Sequence, residues 1–332
     1  LEDNGLATTA ERNNIWGNIL AMIKRYISDE IPGVRVRVVF QDKEVVVTTD
    51  EQGIFNVEME VPLMWDRKLI WHPVYFELLD EVKENQPKIS ATGEIMLFQQ
   101  QSHFGVISDV DDTILISHAT QTMKKLRLML TKSAGSRLPF KGVAAFYRAL
   151  QHDPDKGVFN PLFFISSSEW NLYDLLVDFC GAHKIPKGVF MLKRLKNSVW
   201  DFFRSGAGSH AHKGVKIETV LQAYHTLPFI LIGDSGQHDA ELYAAVAEKY
   251  PGRILAIYIR DVREKRHQAV KKIAETLEEK GTPMLLVKST HEAALHAIQQ
   301  GYVLPADLPE IDAEIAKDEK APKSLVKEVV QE

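Results

Sequence analysis

From Phe104 onward, short continuous apolar runs alternate with longer stretches of helical spacing. The apolar runs fall at 104–108, 162–166, 189–192, 229–233, 254–259 and 284–287. The helical stretches lie between and after them, at about 143–151, 170–183, 215–224, 239–249, 263–280 and 291–300. A strand that is apolar at every position, not every second one, is buried on both faces. Strands of that kind separated by helices build a parallel sheet with helices packed on each side. The pattern therefore predicts an α/β fold with a doubly wound parallel sheet. In such a sheet, ligands bind beyond the carboxyl ends of the strands. Asp109, Ser166, Asp234 and Arg260 all stand at that end of their runs.

Upstream the period changes. Residues 12–28 have helical spacing, with Ile15, Ile19, Met22, Ile23 and Tyr26 on one side. From Gly33 to about Leu97 the period is two: Val34, Val36 and Val38 alternate with Arg35 and Arg37, as in a half-buried strand. Further strands are expected at 44–49, 54–61, 69–79 and 89–98, with a turn at 50–53. Several short strands with turns predict a small β-sandwich module. The expected organisation is a helix over 1–30, a β-module over 31–100 and an α/β domain over 101–304 carrying a small cap insertion at about 117–140. A charged tail, frayed or helical, follows over 305–332.

Bulk properties narrow the function classes. The chain has 332 residues, which suits two domains. Its net charge of −5 is spread along the chain, which excludes a dedicated nucleic-acid binder with a basic face. No apolar run approaches the roughly 20 residues of a membrane span. The single cysteine, Cys180, rules out an internal disulfide framework and suits a reducing compartment. It lies in an amphipathic stretch and reads as a core filler. The expected setting is cytoplasmic, with peripheral membrane contact as the alternative.

The run Phe104-Gly-Val-Ile-Ser-Asp-Val-Asp-Asp-Thr113 feeds a strand into a cluster of acids. Asp109, Asp111 and Thr113 fall at alternate positions. Carboxylates this close repel one another, and a hard cation with oxygen ligands, such as Mg²⁺, is the usual compensation. A solvated acidic turn is the alternative. Later runs repeat the design. The run at 161–166 ends in Ser166 and continues as Ser167-Ser168, and that at 227–234 ends in Gly233-Asp234, with Asp239 following. Lys213 is expected to open the helix at 215–224.

Taken in order, Asp-x-Asp-x-Thr, strand-Ser, Lys and Gly-Asp-x-x-x-x-Asp resemble the four motifs of the haloacid-dehalogenase-like phosphatases. The segments 104–115, 139–143, 166–173, 229–237 and 257–262 are similar to the catalytic domain of the actin-patch-associated phosphatidate phosphatases, over roughly residues 100–300. That family commonly has Ser-Asn-Ser-Pro-Trp where this chain has Ser166-Ser-Ser-Glu-Trp170.

The resemblance implies an aspartyl-phosphate phosphatase. Asp109 would be the nucleophile and Asp111 the general acid and base. Thr113 would orient the first loop, and Ser166, Ser167 and Lys213 would bind the phosphoryl oxygens. Mg²⁺ would be held by Asp109, the backbone of Asp111 and Asp234, with Asp239 as an outer or water-mediated ligand. Lys216 is the rival of Lys213. Arg260 is either a phosphate or headgroup contact or a structural ion-pair partner. The implied reaction is phosphatidate to diacylglycerol. The alternatives are a soluble phosphatase for sugar phosphates or phosphoproteins, and a non-catalytic phospho-acceptor or scaffold whose β-module holds an unidentified protein partner.

Two segments break the strand–helix rhythm. Over 123–132, Met123, Leu126 and Leu130 with Lys124, Lys125, Arg127 and Lys132 read as a basic amphipathic helix. It is either an ordinary surface helix or a lid steering an anionic headgroup. The stretch 196–212 holds Trp200, Phe202, Phe203, His210 and His212 and reads as a flap over the site. A zinc site there would lack a cysteine or further histidine nearby.

Overall fold

The computed structural model describes residues 31–61, 70–97, 102–110, 141–153, 158–193 and 209–320. The expected helix in 1–30, the cap at 117–140 with its basic segment, and the aromatic stretch 196–208 lie outside the described residues. The chain divides into two compact units, with a boundary between Gln100 and Gln101.

The first unit carries one antiparallel sheet of β1 (Arg35–Phe40), β2 (Lys43–Thr48), β3 (Trp71–Leu78) and β4 (Ser90–Met96), in the order β2-β1-β3-β4. The period-two pattern explains it: Val36, Val38, Phe40 and Val74 form the buried face. The expected strand at 54–61 joins no ladder among the described residues. Its alternation survives as packing, since Phe55, Val57, Met59 and Val61 lie against the core of this sheet.

The second unit is built on six parallel strands. These are β5 (Gly105–Asp109), β8 (Leu162–Glu169), β9 (Val189–Lys193), β10 (Phe229–Asp234), β11 (Ile254–Arg260) and β12 (Met284–Val287). A small antiparallel pair, β6 (His152–Asp153) and β7 (Val158–Phe159), precedes β8. The helices are α1 (Val143–Gln151), α2 (Tyr173–Ala182), α3 (Ser209–Ala223), α4 (Asp239–Lys249), α5 (Glu264–Glu279), α6 (Thr290–Gln299) and α7 (Leu308–Lys320). β5 and β10 are buried along their whole length, as the continuous apolar runs require.

Alternate strand residues face opposite helix layers. Val106, Phe164, Ile230, Ile232 and Tyr258 join one core with residues of α1, α2, α6 and α7. Their neighbours Phe163 and Phe229 pack instead with Tyr224, at the end of α3. Helices therefore cover both faces, as a doubly wound sheet demands.

Two boundaries differ from the sequence reading. Helix α3 starts at Ser209, so Lys213 lies inside it and does not open it, and 209–212 are helical, not part of a flap. Gly214 hid this because glycine disfavours a helix interior. Its missing side chain has a use here, since a Cβ would stand 3.3 Å from Leu242 Cδ1 on α4. The tail is helical over α7, and it completes the core: Ile311 is fully buried. Asp318 and Glu314 accept the Gly142 and Ala145 N–H groups at 2.8 and 2.9 Å, which satisfies the start of α1.

Candidate active site

The sheet order is β12-β11-β10-β5-β8-β9. From β5 the chain winds outward through β8 and β9, then returns to place β10 on the other side of β5. The crevice at such a reversal is where ligands bind in open α/β sheets. Ser108 is in register with Ile232, so Asp109 and Asp234 leave adjacent strand ends at this crevice.

The turn from 234 to 239 is folded around its own carboxylates. Asp234 Oδ1 accepts the backbone N–H groups of Gly236 and Gln237, and Asp239 Oδ2 accepts the Asp234 N–H at 3.3 Å. Gly233 is required by space: a Cβ would lie 2.7 Å from Asp239 Oδ2 and 2.9 Å from Tyr243 Cε2. Ser235 Oγ accepts the N–H groups of Val262 and Arg263 at 2.9 and 3.1 Å and ties this turn to the one after β11.

Lys213 completes the cluster. It is buried, and its Nζ stands 2.8 Å from Asp109 Oδ1 and 3.1 Å from Asp239 Oδ1. It also donates to Gln237 Oε1 at 3.2 Å. Carboxylate oxygens of Asp109, Asp234 and Asp239, all buried, lie within 4.8 Å of one another. One ammonium among three carboxylates leaves these four side chains with a net charge of −2. Buried charge of one sign is strongly disfavoured unless a counter-ion joins it. An all-oxygen, anionic donor set fits a hard divalent cation, so these three residues could hold a metal ion. Among the described residues this is the one such group, and His212 is not part of it.

Ser166 reaches the site through a break in strand pairing. Ile165 pairs with Met191 and Glu169 with Lys193, so β8 advances four residues while β9 advances two. Extra residues of this kind re-aim side chains next to active sites. Ser166 Oγ accepts the Ser168 N–H at 2.8 Å, and Lys216 Nζ donates to the Ser166 carbonyl at 2.6 Å. A pocket here is lined by Ser166, Ser167, Lys193, His212, Lys213 and Lys216. Lys213 and its rival Lys216 thus divide the work: the first enters the acid cluster, the second holds the strand end.

Two tyrosines brace the acidic strand ends. Tyr147 OH pairs with Ser108 Oγ at 2.6 Å, and Tyr243 OH donates to the Ile232 carbonyl at 3.1 Å. Burial pushes both phenols well above their ordinary range, and the nearby carboxylates push Tyr243 further. Both remain neutral donors.

The structure thus brings Asp109, Ser166, Ser167, Lys213, Asp234 and Asp239 to one sheet end. Arg260 is in register with Asp234 on the neighbouring strand but does not line the pocket. Asp111 and Thr113 lie outside the described residues. Sequence reasoning missed Gln237, Ser235, Tyr147, Tyr243 and Lys193. Only Ser235 and Gln237 carried a signal, by sitting inside the Gly-Asp-x-x-x-x-Asp spacing.

Comparison with known proteins matches residues 104–261 to the family described as Phosphatidate phosphatase APP1, catalytic domain. The matched residues make up just under half of the chain. The matched span begins one residue before β5 and ends one residue after β11, so it includes every carboxylate of the cluster, Ser166, Lys213 and Arg260. Phosphatidate phosphatase APP1 of Saccharomyces cerevisiae is 31% identical over 194 residues, which is 56% of this chain and 32% of the yeast protein. An uncharacterized protein of Schizosaccharomyces pombe is 25% identical over 249 residues, 73% of this chain and 40% of its own length. The chain therefore spans about a third to two fifths of the length of these relatives.

Proposed function

We propose that this chain is a Mg²⁺-dependent phosphomonoester phosphatase that works through an aspartyl-phosphate on Asp109, with phosphatidate as its substrate and diacylglycerol as the product. The observation that carries the reading is the buried Lys213 ammonium between Asp109 and Asp239, with Asp234 in the same cluster at the reversal of the sheet. An ammonium beside a carboxylate keeps that carboxylate ionised, which a nucleophile needs.

In the first step a carboxylate oxygen of Asp109 attacks phosphorus and the bond to the leaving alcohol breaks. The alcohol takes a proton from Asp111, two positions along the chain. In the second step Asp111 accepts a proton from water, the water oxygen attacks phosphorus, and inorganic phosphate leaves as Asp109 is regenerated. Proton transfer by a placed carboxyl is typically worth about 10² to 10⁴ in rate. Asp109 and Asp234 would hold Mg²⁺, with Asp239 behind them. Bound Mg²⁺ would supply the positive charge that lets two anions meet. Lys213 and the hydroxyls of Ser166 and Ser167 would hold the phosphoryl oxygens as charge moves onto them. Thr113 would orient the first loop.

The lipid substrate rests on the likeness to the yeast phosphatidate phosphatase. No helix among the described residues is long and apolar enough to cross a membrane, so phosphatidate would be met at a membrane surface. The test is phosphate release from phosphatidate vesicles, sugar phosphates and a phosphopeptide, in EDTA and after Mg²⁺ is restored. Release from phosphatidate that stops in EDTA and returns with Mg²⁺ is expected, together with a Mg²⁺-induced rise in melting temperature. Full activity in EDTA, or release only from the soluble esters, overturns the metal or the substrate part respectively.

A further inference from the structure

Asp234 and Asp239 stand at the two ends of one turn, so the path of that turn sets the spacing of their carboxylates. Clustered carboxylates repel one another, and the turn has to hold its path against that repulsion. Ser235 ties it to the neighbouring strand end. This serine is fully buried, and its N–H donates to the Arg260 carbonyl at 2.8 Å, one step beyond the ladder between β10 and β11. Its hydroxyl oxygen accepts the N–H groups of Val262 and Arg263 at 2.9 and 3.1 Å. A serine hydroxyl has two acceptor lone pairs, and both are used here. Arg263 immediately precedes α5, and its own side chain does not cap that helix.

The segment that receives these bonds is itself held in place. The Asp261 N–H donates to the Val287 carbonyl of β12 at 2.9 Å. The turn and the segment also pack closely, since a Cβ on Gly236 would lie 3.2 Å from Val262 Cγ2. From Ser235 the constraint passes to the acids through the backbone. Gly236 and Gln237 follow it directly, and their N–H groups orient Asp234 Oδ1. Gln237 Oε1 also accepts from Lys213 Nζ at 3.2 Å. A displaced Ser235 would therefore turn the Asp234 carboxylate and move a partner of Lys213 together.

We propose that Ser235 is a positioning residue for metal binding. It locks the 234–239 turn to the segment before α5 and so sets the Mg²⁺ affinity of the Asp109, Asp234 and Asp239 cluster. It acts through Asp234 and touches no reacting atom. The proposal rests on the metal part of the phosphatase reading for the identity of the cation. Groups that hold metal-binding side chains in place are typically worth about 10- to 100-fold in metal affinity.

The test uses the full chain. Isothermal titration with MgCl₂ reads the affinity, and hydrogen exchange over 234–239 in EDTA reads the turn without metal. Ser235→Ala removes the acceptor of two N–H groups. Ser235→Cys keeps a weak acceptor and replaces it if the alanine variant does not fold. Thr290→Val is the control, because it deletes a buried hydroxyl that bonds the Lys141 carbonyl at 2.6 Å. Ser235→Ala should bind Mg²⁺ at least about 10-fold more weakly and exchange faster over 234–239. Its turnover of p-nitrophenyl phosphate should recover as Mg²⁺ is raised. Thr290→Val should melt at a lower temperature with Mg²⁺ affinity and 234–239 exchange unchanged. Unchanged Mg²⁺ affinity in Ser235→Ala overturns the proposal. So does an equal loss of affinity in Thr290→Val, which would make the effect one of general stability. A wild-type chain that binds Mg²⁺ and releases no phosphate would remove the phosphatase reading and leave the positioning role standing. A wild-type chain that binds no Mg²⁺ overturns both.

Discussion

Replacing Lys213 by Met would leave Asp109 and Asp239 buried beside each other without the ammonium that now touches both. Removing one partner of a buried ion pair typically destabilises by about 3–5 kcal/mol, because a charge is stranded. Asp109→Asn acts in the opposite sense. It removes one of three crowded carboxylates and leaves Lys213 its contact with Asp239. In metal-free buffer, urea unfolding should show Lys213→Met weakened by that order and Asp109→Asn unchanged or more stable, while both lose turnover. Equal destabilisation by the two variants would mean that repulsion among the carboxylates is not the dominant energy in the cluster. Single positions of this kind were partly legible in advance. Asp109, Ser166, Asp234 and Asp239 were marked by their place after apolar runs. Lys213 is favoured over its rival Lys216 by resemblance alone, because they lie three residues apart on one helix and only the tertiary fold says which one faces the acids.

Helix α7 shows how one element decides the extent of a domain. Its sequence is rich in charge and reads as a tail, yet it buries Ile311 completely and satisfies the start of α1. The ion pairs that accompany it are more visible than they are strong. Arg148 contacts Glu310 at 2.7 Å, but Glu310 is 64% exposed, and an exposed pair contributes less than about 1 kcal/mol. A fully buried isoleucine cut to alanine loses about 2–5 kcal/mol. Urea denaturation should therefore rank Ile311→Ala well above Glu310→Gln. The reverse order would show that α7 is held by its charges and not by its apolar side. The other elements were easier to foresee. α1, α4 and β12 fall where the periodicity put them, since a helix or strand period is a local property. The expected strand at 54–61 failed because pairing needs a partner edge, which no local pattern can supply.

Over the second unit as a whole, Cys180 offers a reporter. It is the chain's single thiol, buried on α2 in the core formed with α1, α6 and α7. Burial alone pushes its pKa up to about 12. At pH 8 the thiolate would be about one part in 10⁴ of the folded population, and the thiolate is the reactive form. Native protein should therefore react with Ellman's reagent only through opening of this unit, at a rate that rises in Ile311→Ala, while urea-unfolded protein reacts at once. Rapid native labelling, unaffected by Ile311→Ala, would show that the core around α2 opens locally. The same core marks the limit of reading from residues alone. Fold class, the positions of the six strands and the acids at their ends follow from apolar periodicity, because burial on both faces leaves a local signature. The strand order that sets β5 beside β10, the approach of Lys213 to Asp109 across more than a hundred residues, and the pairing of Lys193 with Lys216 in one pocket wall leave no such signature. They arise when the two helix layers close over the sheet, and it is that long-range packing, not any local pattern, that turns scattered polar ends into one charged site.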